Sequence, residues 1–181
     1  GSSNALAVTS LFYTFPVSDF VVTAGPLVDQ DDVVAATTTL YPETFKLAGL
    51  PYSVAGSETG PGVAVAYGND NGFVASISHV SADGDEASKG IGTEKGDDVT
   101  SATIGYNADN WGVGLAYAAG DESDSTTAGY TAFGIGAYWA PEGYPTLSLS
   151  YDTKDPEAGN DEEDIFFGLG YEWGPGTINA A

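Results

Sequence analysis

Four short runs concentrate the carboxylates of this chain: DQDD (29–32), DGDE (83–86), DESD (121–124) and DEED (161–164). Carboxylate oxygens are hard ligands of the kind Ca²⁺ accepts, so Ca²⁺ at the acidic loops is the one cofactor these residues suggest. None of the runs follows the twelve-residue EF-hand loop with its closing Glu, and a solvated acidic loop explains them more simply. The single histidine, His79, reads as a rim or interface residue rather than a ligand. With no cysteine, thiolate chemistry and disulfides are excluded. There is no His–Asp–nucleophile set, no Gly-x-Ser-x-Gly elbow, no phosphate-binding glycine loop and no zinc spacing. The expectation is a protein with no catalytic residues and no resident metal.

The charge balance narrows the partners. Twenty-six acidic residues stand against four lysines, for a net charge of -22. Nucleic acid requires clustered cations to displace phosphate counterions and is excluded; the same acidity argues against a polybasic membrane-surface anchor. A salt-adapted surface, Ca²⁺ sites or a cation-attracting pore mouth remain open.

The elements that must position these runs have an apolar period of two, the signature of strands. Nine strands are predicted, near 5–15, 19–27, 61–68, 72–81, 98–107, 110–119, 128–140, 144–153 and 163–173. Most are about ten residues long, enough to cross a hydrocarbon layer at a tilt, whereas strands of ordinary sheets average about five or six. Tight turns rich in Gly, Asn, Asp and Pro (16–19, 68–72, 107–110, 140–144) alternate with long connections (28–60, 82–97, 120–127, 154–162). In an antiparallel up-and-down meander this puts the short turns at one end and the acidic loops at the other. The parity fits a transmembrane barrel and any other meander alike.

The strand faces discriminate better. One carries Ile104 and Tyr106; Trp111, Val113, Leu115 and Tyr117; Phe133, Ile135 and Trp139; Leu147, Leu149 and Tyr151; Ile165, Phe167, Leu169, Tyr171 and Trp173. The other carries Ser101, Thr103 and Gly105, Gly112 and Gly114, Gly134 and Gly136, Ser148, Ser150 and Asp152, and Gly168, Gly170 and Glu172. A face of Ser, Thr and Gly makes a poor apolar core and suits a water-filled lumen, with the bulky face turned to lipid. Phe15, Tyr67, Tyr106, Trp111, Trp139 and Trp173 fall near short turns or the final turn, and Tyr13, Tyr117, Tyr130 and Tyr151 toward the loops. Two exterior aromatic bands at the membrane interfaces are therefore expected.

No run approaches 18 consecutive apolar residues, so no transmembrane helix is expected, which leaves a barrel open. The whole of 1–181 reads as one domain. GSSNALAVTS lacks the features of a signal peptide, and the chain is expected to be a mature product or an internal piece. The connection 28–60 contains Leu40, Tyr41, Phe45, Leu47, Leu50 and Tyr52; a stretch this long and apolar forms its own structure or packs somewhere.

LFYTFPVSDFVVTAGPLVDQDDV (11–33), with its Tyr-x-Phe-Pro strand, short turn, second strand and acidic loop, resembles cyanobacterial outer-membrane porins. VTSATIGYNADNWGVGLAYAAGD and AFGIGAYWAPEGYPTLSLSYDT are similar to later hairpins of that family, which is related to the OprB-like carbohydrate-selective porins and is often labelled iron-uptake porin. The resemblance implies residence in the outer membrane, contact with its lipid, and passive transport of small hydrophilic solutes such as ions and carbohydrates. It also implies that 28–60 folds inward as a pore constriction, with Asp29, Asp31, Asp32 and Glu43 opposed by Lys46; an external lid is the competing reading. Ser148, Ser150, Asp152 and Glu172 would line the pore. The family's N-terminal peptidoglycan-binding domain is not matched. Nine strands are fewer than such barrels contain, and an odd count would bring the first and last strands together in parallel. Hence the expectation of a homo-oligomer or of a piece of a larger barrel. The alternative function is a secreted or cell-surface acidic β-sheet structural protein, Ca²⁺-binding and self-assembling.

Overall fold

A computed structural model describes residues 8–36, 58–93, 95–121 and 128–180. They form one antiparallel meander of ten strands in sequential order: β1 (Leu11–Val17), β2 (Phe20–Asp29), β3 (Thr59–Gly68), β4 (Phe73–Ser81), β5 (Asp98–Asn107), β6 (Trp111–Gly120), β7 (Tyr130–Trp139), β8 (Thr146–Pro156), β9 (Glu162–Trp173) and β10 (Gly176–Ala180). Among the described residues the only helical element is a 3-10 turn at Asp31–Val33. The all-β meander agrees with the sequence reading, but the count of nine is corrected to ten. The last strand follows a Gly174–Pro175 turn, with Gly174 at φ 59, and pairs Gly176 with Trp173 through Ala180 with Leu169. Ten is even, so β1 and β10 run antiparallel to each other and the expected parallel seam does not arise. The two strands are the edges of the sheet.

Of the predicted first strand, 5–15, residues 5–7 lie outside the described residues; β1 begins at Leu11 and continues past 15. Pro16 and Val17 belong to β1, and the turn is Ser18–Asp19, with Ser18 at φ 55. Proline lacks the N–H for a central ladder and is tolerated at a sheet edge, where β1 sits. A register shift between β2 and β3 falls at Gly25/Val28. A Cβ at Gly25 would run into the backbone of Leu11 and Phe12.

Alternation of bulky and small residues turns each strand into a two-faced ribbon. In β6 exposure alternates strictly from Trp111 to Ala118. The bulky face continues across strands: Phe73, Tyr106, Val113, Ala137, Leu149 and Phe167 are successive register partners, as are Ala75, Ile104, Leu115, Ile135, Tyr151 and Ile165. These side chains are not packed into a core: Val113 is 43% exposed, Ile135 46% and Leu149 56%. The small-residue face is the covered one. Val28, Ala64 and Val80 of β2–β4 cluster with Val33 of the 3-10 turn, and Val99, Ala116, Ala118 and Ala132 cluster on β5–β7.

Candidate functional site

The covered face carries the features that could handle a ligand or solute. After β2 the chain does not leave the sheet but descends along it. Gln30 is fully buried; its Nε2 donates to Val99 O (2.9 Å) and Ser78 Oγ (3.3 Å), and its Oε1 accepts from Glu58 N (3.4 Å). Its backbone N–H donates to Glu58 O (3.0 Å), so this one side chain ties both ends of the long connection to β4 and β5. Further along, Ala35 N donates to Ser76 Oγ (3.1 Å) and Ala36 N to Thr103 Oγ1 (3.4 Å). A Cβ at Gly105 would lie 3.0 Å from that of Ala36; the bare glycine lets the two backbones approach. The serines and threonines of this face thus hydrogen-bond a traversing chain segment over β4 and β5.

At the short-turn end the same face is open. A cavity of about 610 Å³ is lined by Thr146 and Ser148 of β8, Gly168 and Glu172 of β9, and Asn179 of β10, under the Ala140–Tyr144 turn. Ser150 and Asp152 lie deeper on the same face of β8, 2% and 1% exposed. Ser148 and Glu172, two of the residues predicted to line a pore, meet in this cavity, with Ser150 and Asp152 continuing the row beyond it. Asp29, Asp31 and Asp32 lie at the opposite, loop end, with Asp31 and Asp32 exposed, so the acidic run and the cavity are not brought together. Glu43 and Lys46 fall outside the described residues, as do Leu40, Tyr41, Phe45, Leu47, Leu50 and Tyr52.

Two tyrosines also point to the covered face. Tyr138 lies over Gly112 and Tyr130 over Gly120, each the direct partner across β6 and β7. Tyr130 was expected in an exterior loop-side band; this is corrected. Its place was legible from parity, since Phe133 faces out and Tyr130, three residues earlier, must face the other way. Lys154 Nζ sits 4.2 Å from the Tyr130 ring centroid.

The exterior aromatics gather mainly at the short-turn end. Phe20 and Tyr67 have ring centroids 5.3 Å apart, Tyr67 and Phe73 6.2 Å, and Tyr106 and Trp111 5.5 Å. Trp111 pairs in register with Trp139, and Trp173 ends β9 with an exposed side chain. Phe15 stacks on Tyr13 at 5.6 Å along β1.

At the loop end, Glu58 and Asp97 stand where β3 and β5 begin. Burial pushes the Glu58 carboxyl above its ordinary value, Asp97 adds to this and Lys154 opposes it. Asp97 is likewise raised by burial, then by Asp83 and Asp98, against Lys89. Lys89 Nζ donates to Asp83 Oδ2 at 3.0 Å, which ties down the DGDE loop. His79 bonds Thr100 Oγ1 through Nδ1 at 2.9 Å, and its Nε2 is 3.8 Å from Asp98 Oδ2, consistent with a rim residue held by neighbours. Among the described residues no group of three or more His, Cys, Asp or Glu side chains could hold a metal ion.

Compared with models of known protein families the chain matches none, and no curated protein matches it.

Proposed function

We propose that this chain forms the wall of an outer-membrane porin, or a portion of one, through which small hydrophilic solutes and ions diffuse passively. The observation that carries the reading is the continuous bare belt of Val113, Leu115, Phe133, Ile135, Leu149 and Phe167. An apolar surface of this extent is a liability in water and the expected exterior of a barrel in lipid. The ten residues of β6 run for about 31 Å at 3.4 Å per residue, which at a tilt of about 40° spans roughly 24 Å, close to the apolar height of about 25 Å in such barrels. Every backbone group at membrane depth needs a partner, which an antiparallel meander supplies except at β1 and β10; their antiparallel relation suits direct closure, pairing with a second copy, or the remainder of a larger wall.

Transport needs no bond chemistry. The cavity beside Ser148 and Glu172 offers a polar entrance at the turn end, and the 30–36 segment pinned inside narrows the way through. The acidic loops raise cation concentration at the other mouth and repel anions. In planar bilayers the protein should conduct K⁺ in preference to Cl⁻, less so at high salt; anion preference, or no conductance by protein folded in detergent, rejects the proposal.

The open edges also support a second reading, an acidic surface protein assembling edge to edge. Detergent dependence separates the two: a chain that stays monodisperse in plain buffer is not presenting this belt to lipid.

A further inference from the structure

We propose that Asp152 and Asp164, with Ser150, form an internal Ca²⁺ site in the wall of the sheet. Asp152 on β8 and Asp164 on β9 are direct register partners on the covered face. Asp152 is 1% exposed, and neither of its carboxylate oxygens has a hydrogen-bond partner among the described residues. Ser150, two residues along the same face, is 2% exposed, and its Oγ is likewise without a partner. Gly134, the register partner of Asp152 on β7, contributes no side chain.

A buried carboxylate with both oxygens empty, facing a second carboxylate, is strongly unfavourable unless something positive joins it. The nearest cation along the strand, Lys154, is turned aside over Tyr130. The β8–β9 register thus sets two carboxylates and one hydroxyl side by side on the covered face, next to Phe166, the register partner of Ser150. This set matches a hard divalent cation: Ca²⁺ accepts carboxylate, hydroxyl and water oxygens at irregular geometry. Asp164 is the last residue of the DEED run; the other three members are exposed, so the register selects one of the four for the interior. The site stands on this geometry and not on conduction, so it can fail or hold separately from the porin reading.

The test is calorimetric titration of CaCl₂ into the full chain folded in detergent, with Asp161→Asn as a control on the exposed part of the same run. The wild type and Asp161→Asn should each show one saturable site per chain above the diffuse, weak binding of the loops. Asp152→Asn should abolish it, and Ser150→Ala and Asp164→Asn should weaken it by roughly tenfold or more. If Asp152→Asn does not fold, Ser150→Ala, which removes one hydroxyl, carries the test alone. A wild type with no saturable site, or a site unchanged in Asp152→Asn or Ser150→Ala, overturns the proposal. So does a protein whose heat stability is unchanged by Ca²⁺ in the wild type and in Asp152→Asn alike.

Discussion

Tyr138 lies across Gly112 of the neighbouring strand, so that a single methyl group on the glycine would collide with the phenol ring. Tyr130 and Gly120 repeat the arrangement at the other end of the same strand pair. The large side chain covers the backbone that the glycine leaves bare, a cross-strand use of an aromatic. Bulk is thereby placed on a face otherwise built from small residues without thickening it. Gly112→Val should destabilise the folded protein by about 1–3 kcal/mol, the usual range for overpacking. Urea unfolding in detergent, followed by tryptophan fluorescence, measures it; Gly176→Ala provides a comparison on β10 with open space around it and no positive φ.

Gln30 should be the residue whose loss frees the long connection. Gln30→Leu removes the donors to Val99 O and Ser78 Oγ and the acceptor for Glu58 N, leaving buried partners unsatisfied at about 1–3 kcal/mol each. In bilayers the variant should show larger and noisier conductance than wild type. Unchanged conductance would mean that the 30–36 segment does not limit passage.

The bulky face should be intolerant of charge. Leu115→Arg and Ile135→Arg place a guanidinium at the centre of the belt, which costs about 2–4 kcal/mol at the midplane of a bilayer and little near its interfaces. Folding yield into liposomes, read by heat-modifiable gel mobility, should drop for both and be spared by Thr131→Arg at the loop end. A water-facing surface would accept all three alike.

The loop-end carboxylates predict a direction with pH. Glu58 and Asp97 hold their protons more tightly in the folded protein, through burial first and neighbouring carboxylates second. Between the ordinary carboxylate value and the raised one the native state therefore binds more protons than the unfolded state, and stability falls as pH rises through that window. Acidification through that window, towards the ordinary carboxylate value, should stabilise the protein. Glu58→Gln should flatten the dependence, as read from denaturant midpoints across the pH series; an unaltered slope would assign the effect to other acidic groups.

The division of the chain into two-faced ribbons was written locally. Because successive side chains point to opposite sides of a strand, Trp111, Val113, Leu115 and Tyr117 declare a face with no knowledge of their neighbours, and β6 and β7 show it residue by residue. The segregation of short turns from long loops follows from the same local pattern once the strands are antiparallel. Composition alone, without cysteine or clustered cations, set the expectation of no thiolate chemistry and no nucleic-acid partner. The short β10 was missed because five residues after a Gly-Pro turn carry too little periodicity to stand out, and it forms because β9 offers an open edge.

Tertiary structure decided what depends on register and on contacts between residues far apart in the chain. Nothing in DQDD indicates that Gln30 alone turns inward to reach Val99, 69 residues on, while the aspartates on either side stay nearer water. Nothing in DEED singles out Asp164 until the β8–β9 register sets it opposite Asp152. Side-chain alternation is a property of each residue's own backbone, whereas register comes from the summed pairing of whole strands, so the faces could be read from the sequence and the constellations on them could not.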